Sequence, residues 1–174
     1  MNRDDLCMNV SEDSKIMVAG IGNVLMSDDG FGPKVIELLQ NKPLSELVEV
    51  RDMGTAGLTI ATELEGFDIV IFVDSMDING EPGNLQQVEI DLETIEASEA
   101  AELSKLTVHE VGLEGLLKFS KAIGTLPSRV FIVGCRPEKL GFGFGLSPSV
   151  ERAAEEASEK VLRLLDALEK NVVF

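Results

Sequence analysis

The sequence predicts an α/β fold, a three-layer αβα sandwich of the phosphorylase/hydrolase-like kind. Its mostly parallel, twisted sheet is expected to hold about five strands, one of them an antiparallel edge strand. Two observations carry that expectation. Short apolar runs alternate along the chain with stretches that are apolar at helical spacing, and such alternation packs helices on both faces of a parallel sheet. One run, residues 84–90, instead alternates apolar and polar side chains after the turn-forming Asn79-Gly80-Glu81-Pro82-Gly83. That is the pattern of a strand exposed on one face.

The first strand is expected over Ile16-Met17-Val18-Ala19-Gly20-Ile21, stopping at Gly22-Asn23, and Val35, Ile36, Leu38 and Leu39 then define one face of a helix over 33–39. A second strand over 47–53 ends at Gly54-Thr55-Ala56-Gly57 and leads into a short helix through Leu58, Ile60, Ala61 and Leu64. Residues 67–73 form the third and most apolar strand. After the edge strand, residues 91–105 are acidic and irregular, and Val111, Leu113, Leu116, Leu117 and Phe119 mark an amphipathic helix. The fifth strand is read over 129–134. Gly141-Phe142-Gly143-Phe144-Gly145 is read as a flexible loop, and Ser147-Pro148 opens a long last helix whose Val161, Leu164, Leu165 and Leu168 face the sheet.

With 174 residues, 44% of them hydrophobic, one domain over 15–174 with its own core is expected, preceded by a charged, flexible leader over 1–14. Cys7 and Cys135 sit in a polar leader and at the end of an apolar run, a poor pairing for a disulfide and better suited to a reducing compartment. The run over 69–73 is far shorter than the roughly 20 residues of a membrane-spanning helix. No apolar signal core follows Met1, so a cytoplasmic protein without a membrane partner is expected. Thirty-one acidic against 15 basic residues leave a net charge of -16. That charge repels a phosphate backbone and speaks against a nucleic-acid partner.

In a doubly wound sheet, ligands bind beyond the carboxyl ends of the strands where strand order reverses, commonly between the first and third strands. Asp28 and Asp29 follow the first strand, and Asp74 closes the third. A carboxylate ending an apolar run needs solvent, a cation or a donor, because burying it unpaired costs several kcal/mol. His109, the only histidine, precedes the helix at Val111. Asp29, Asp74 and His109 together suit a borderline divalent ion such as zinc or nickel. Each has an ordinary alternative: Asp28 and Asp29 as helix caps, Asp74 as the start of an Asp-Ser turn, His109 as a cap or packing residue.

Other motifs fit less well. Gly20-Ile21-Gly22 suggests a dinucleotide fingerprint, but Leu25 stands at the third glycine position. Gly141 to Gly145 lacks the Lys-Ser or Lys-Thr of a P-loop, which leaves a hinge or a substrate-contacting loop. Cys135 could serve as a nucleophile activated by His109, or as a buried structural thiol.

The stretch from Gly20-Ile21-Gly22-Asn23 through Ser27-Asp28-Asp29-Gly30-Phe31-Gly32 resembles the opening motif of the endopeptidases that mature nickel-iron hydrogenases. Asp52-Met53-Gly54-Thr55-Ala56-Gly57-Leu58, Val73-Asp74, Thr107-Val108-His109-Glu110-Val111-Gly112-Leu113, Gly134-Cys135-Arg136-Pro137-Glu138 and Gly145-Leu146-Ser147-Pro148 follow in that family's order. Two departures stand out: Asp29 replaces the glutamate some members carry, and Met53 interrupts the commoner Asp-Gly-Gly-Thr. The resemblance implies a peptidase that removes the C-terminal extension of a hydrogenase large-subunit precursor; separately, a monomer is expected. The resemblance further implies that Asp29, Asp74 and His109 recognise nickel already carried by that precursor, with other divalent ions able to substitute. It also implies that Asp52, Gly54, Thr55 and Gly57 bind substrate, with the loops at 54–57 and 141–145 flanking the cleft. The competing readings are a non-catalytic nickel-dependent assembly factor, a hydrolase built on Cys135 and His109, and a nucleotide-binding protein.

Overall fold

A computed structural model of the chain describes residues 14–95 and 108–170, the side chains of 108–111 excepted. Five strands, β1 (Ile16–Ile21), β2 (Val48–Gly54), β3 (Ile69–Ser75), β4 (Leu85–Glu89) and β5 (Arg129–Cys135), form one sheet in the order β2-β1-β3-β5-β4. All neighbours pair in parallel except β4, which runs antiparallel to β5 at the edge. The expected mixed sheet with an antiparallel edge is therefore the observed one. Its α-helices are α1 (Phe31–Gln40), α2 (Ile60–Glu63), α3 (Val108–Ile123) and α4 (Pro148–Glu169). The expected leader lies outside the described residues but for Ser14, as does most of the acidic stretch after Leu92.

Side chains alternate between the two faces of a strand, and here each face has its own core. Ile16 and Val18 of β1, Ile69, Ile71 and Val73 of β3, and Phe131, Val133 and Cys135 of β5 pack under α1 and α4. Met17, Ala19, Val70, Phe72 and Val130 face the other way, against Ile60, Ala61, Leu116 and Leu117 of α2 and α3. The central strands are buried on both faces, which is why they read as unbroken apolar runs. The outer β2 is half-buried along its length.

Strand β3 extends two residues past its apolar run, because Asp74 and Ser75 stay in register with Gly134 and Cys135 of β5. Asp74 is thus the sixth residue of a seven-residue strand rather than the residue after it. Alternation from Val73 turns it toward the α2–α3 side. Helix α1 begins almost on top of the strand ends. A Cβ at Gly32 would stand 2.2 Å from the carbonyl oxygen of Ile21 and 2.5 Å from that of Val73. Only hydrogen fits there, so glycine sets the height at which α1 covers β1 and β3.

The candidate active site

Strand order reverses between β1 and β3: the chain leaves β1 for β2 on one side, and β3 returns on the other. The carboxyl ends of these two strands splay into a crevice at this point. A cleft of about 220 Å³ opens there, lined by Gly22, Asp29, Thr55, Gly57, Asp74 and Gly112 among others, with Leu58, Leu113 and Leu116 supplying apolar wall. Asp29 and Asp74, expected from the sequence to meet, do share this cleft.

Asp29 is held in a fixed orientation. Its Oδ2 accepts a hydrogen bond from the backbone N–H of Asn23 (2.8 Å) and its Oδ1 one from the Ser75 hydroxyl (3.2 Å). Glycine at position 22 makes this possible: φ is 140°, and a Cβ would lie 1.8 Å from the carbonyl oxygen of Asp29. The loop therefore folds back directly onto the aspartate it orients. Ser75 is a site residue that the sequence reading had not singled out; its signal was its place beside Asp74. Asp74 differs from its neighbour. Burial, and then the adjacent Asp29 carboxylate, push its carboxyl up to about 7, against a lowering backbone hydrogen bond at Ser75. A carboxyl group of raised proton affinity beside a second carboxylate is suited to proton transfer near neutral pH or to sharing a cation.

His109 lies in the first turn of α3, and its imidazole is outside the described side chains. Three residues later the helix is interrupted at Gly112 (φ 58°, ψ -175°), which lines the same cleft as Asp29 and Asp74. Among the described residues no group of three His, Cys, Asp or Glu side chains could hold a metal ion.

Of the other residues expected to touch substrate, Thr55 and Gly57 line the cleft. Asp52 instead closes the end of β2 by accepting from the N–H of Gly54 (2.9 Å). The loop over 141–145, read as a flexible loop flanking the cleft, is pinned at its centre. Its backbone is tied to the loop after β1, with Ser27 N donating to Gly143 O and Gly143 N to Leu25 O, both at 2.9 Å. It contributes no lining residue to the cleft.

Asp28 does not take the helix-cap role that was its ordinary alternative. It is fully buried and accepts hydrogen bonds from the N–H groups of Glu138 (2.9 Å), Lys139 (2.8 Å) and Ser147 (2.6 Å) and from the Ser147 hydroxyl (2.9 Å). Burial alone would raise its affinity for a proton, but the bonds from Ser147, Lys139 and Glu138 outweigh this and hold the carboxyl below the ordinary carboxylate range. Ser147, expected to cap α4, makes no side-chain cap there because its hydroxyl serves Asp28.

Cys135 is fully buried in the α1–α4 core, on the face of the sheet away from α3. Burial, followed by the charge of Asp28, pushes its thiol up to about 12, the opposite of what a nucleophilic cysteine needs. Cys135→Ala is accordingly expected to leave catalytic activity within about threefold of the parent while costing about 1 kcal/mol of stability. Turnover of substrate beside a urea titration would separate the two effects.

Fold and site together define a doubly wound α/β protein with two carboxylates in the cleft at its switch point. The chain belongs to the hydrogenase maturation protease family, whose model matches residues 33–164. It is 31% identical over 153 residues to the hydrogenase 2 maturation protease of Escherichia coli, covering 87% of this chain and 90% of that one. The crystal structure of the hydrogenase 2 maturation peptidase from Thaumarchaeota archaeon SCGC_AB-539-E09 shares 45% identity, with a TM-score of 0.68 over 87% of this chain and 98% of its own. The hydrogenase maturating endopeptidase HybD of E. coli superimposes with a TM-score of 0.73 at 31% identity, over 87% of this chain and 92% of its own. Among the described residues no helix is long and apolar enough to cross a membrane.

Proposed function

We propose that this protein is the endopeptidase that removes the C-terminal extension of a nickel-iron hydrogenase large-subunit precursor once nickel has been inserted. The observation that carries this reading is the meeting of Asp29 and Asp74 in the switch-point cleft of a chain that belongs to a maturation protease family. Nickel enters as part of the substrate. Asp29, Asp74 and His109 are its contacts, and other divalent ions can take its place.

Two features of the site support this. Asp29 presents a carboxylate whose direction is already set by Asn23 and Ser75, so little ordering is left to occur on binding. Asp74 carries a proton affinity raised by burial and then by its neighbour, and a cation brought by the substrate offsets that penalty and favours its ionised form. The ionised Asp74 then stands as the base for the attacking water, with the precursor's extension laid between Thr55–Gly57 and Gly112. Glycine on both walls lets an extended backbone come close.

The test is incubation of the purified chain with nickel-loaded and nickel-free precursor, reading the precursor's mass. Loss of a C-terminal peptide is expected only from the nickel-loaded form. His109→Ala is expected to lower the rate at least about a hundredfold, as loss of a metal contact would. Binding without any cleavage would make the protein an assembly factor instead. Equal cleavage of the two precursor forms would remove nickel from the recognition.

A further inference from the structure

We propose that the two loops joined by Asp28 form a docking surface for an apolar face of the folded body of the substrate precursor, distinct from the cleft that takes its extension. This rests on the function proposed above.

The apolar surface of this protein is concentrated in one place. Among the described residues the exposed large hydrophobic side chains are Val24, Leu25, Met26, Leu140, Phe142, Phe144 and Ile123. All but Ile123 belong to the loops after β1 and after β5. Phe142 and Phe144 are 77% and 79% exposed, and their rings meet edge to face with centroids 6.0 Å apart. Backbone bridges at Met26–Gly143 and Ser27–Leu140 splice the two loops together. The Ser27 hydroxyl adds a bond to Gly141 O (3.0 Å), and the buried Asp28 fastens both loops to the start of α4. Neither residues 23–27 nor 140–146 contain a charged side chain, in a chain whose net charge is -16.

Exposed aromatic side chains on a pinned backbone lose little freedom on binding, and such residues dominate interface energies. Their place indicates what covers them. The patch and the cleft meet at Asp29, since Asn23 at the root of the patch donates to its carboxylate. The cleft opens toward α2 and α3, whereas the patch loops lead into α1 and α4. A folded protein whose extension fills the cleft therefore rests its body on the opposite rim. The uncharged patch accepts an apolar face there at little desolvation cost, while the acidic surface elsewhere discourages other approaches.

The test uses the full chain and full-length nickel-loaded precursor. Dissociation constants and cleavage rates are measured for wild type, for Phe142→Ser combined with Phe144→Ser, and for Leu25→Ser. The expected result is at least about a tenfold rise in the dissociation constant and in KM for both variants, with kcat and melting temperature unchanged. Unchanged affinity in both variants overturns the proposal. So does finding that the patch instead drives self-association, seen by sedimentation, or adsorption to phosphatidylcholine vesicles, with precursor affinity unaltered. A wild type that binds through the patch but never cuts refutes the proposed function alone. A wild type that cuts with no dependence on the patch refutes this inference alone, and one that neither binds nor cuts refutes both.

Discussion

Asp74→Asn is expected to abolish processing and to stabilise the protein at the same time. The amide cannot act as a base or bind a cation as a carboxylate does, so cleavage of nickel-loaded precursor should fall at least about a hundredfold. Stability moves the other way. The Asp74 carboxyl is displaced from 3.8 to about 7 by burial and by Asp29, so between those values the folded chain holds this proton more tightly than the unfolded chain does. Stability contributed at this position therefore falls as pH rises through that window and levels off above it. Asparagine is neutral throughout. Its advantage should be small below about pH 4 and reach at most about 4 kcal/mol near pH 8. Urea unfolding of both proteins in chelator-treated buffer at the two pH values measures it. An active Asp74→Asn variant, or a destabilised one at the higher pH, would contradict the assignment of this residue.

The second large effect concerns Asp28. Asp28→Ala leaves three backbone N–H groups and the Ser147 hydroxyl without their acceptor in a buried place, at an expected cost of about 3–5 kcal/mol. Asp28→Asn recovers little, because every partner is a donor and the amide brings two more. The folded carboxyl lies below its ordinary value, so its contribution is fully present above about pH 4 and is lost as pH falls through the lowered value. Denaturant titrations of wild type and Asp28→Ala should differ most near neutral pH and converge in acid. Convergence at neutral pH would mean that water replaces the carboxylate and that the two loops are not fastened through it.

These two neighbouring aspartates also mark where sequence reading succeeds and where it stops. The meeting of Asp29 and Asp74 was legible because it follows from topology: apolar runs locate the strands, and strand alternation with helices locates the switch point. Strands β1, β3 and β5 were legible for the same reason, being buried on both faces. The partners of Asp28 lie more than 100 residues away and are chiefly backbone N–H groups, which leave no trace in side-chain pattern. The docking of residues 141–145 was hidden likewise, since its bonds are made by main chain and its glycines report only freedom of φ. The last two residues of β3 were missed because a polar pair ends an apolar run, although the register with β5 continues. The orientation of Cys135 followed from a single-residue alternation that no local feature signalled.

Adjacent positions 28 and 29 face opposite obligations, one tied to the scaffold and the other presented to the cleft. The segment linking β1 to α1 is consequently one whose length cannot drift. Surface connections ordinarily tolerate added or lost residues, but here a single insertion or deletion ahead of Asp28 would bring the wrong aspartate to one place and no carboxylate to the other. The alternative would be to lift the first turn of α1, with Gly32, off the ends of β1 and β3. Variation in this stretch is thereby confined to side-chain identity, which leaves the solvent-facing Val24, Leu25 and Met26 free to change with whatever surface they meet while the spacing of the acidic pair stays constant.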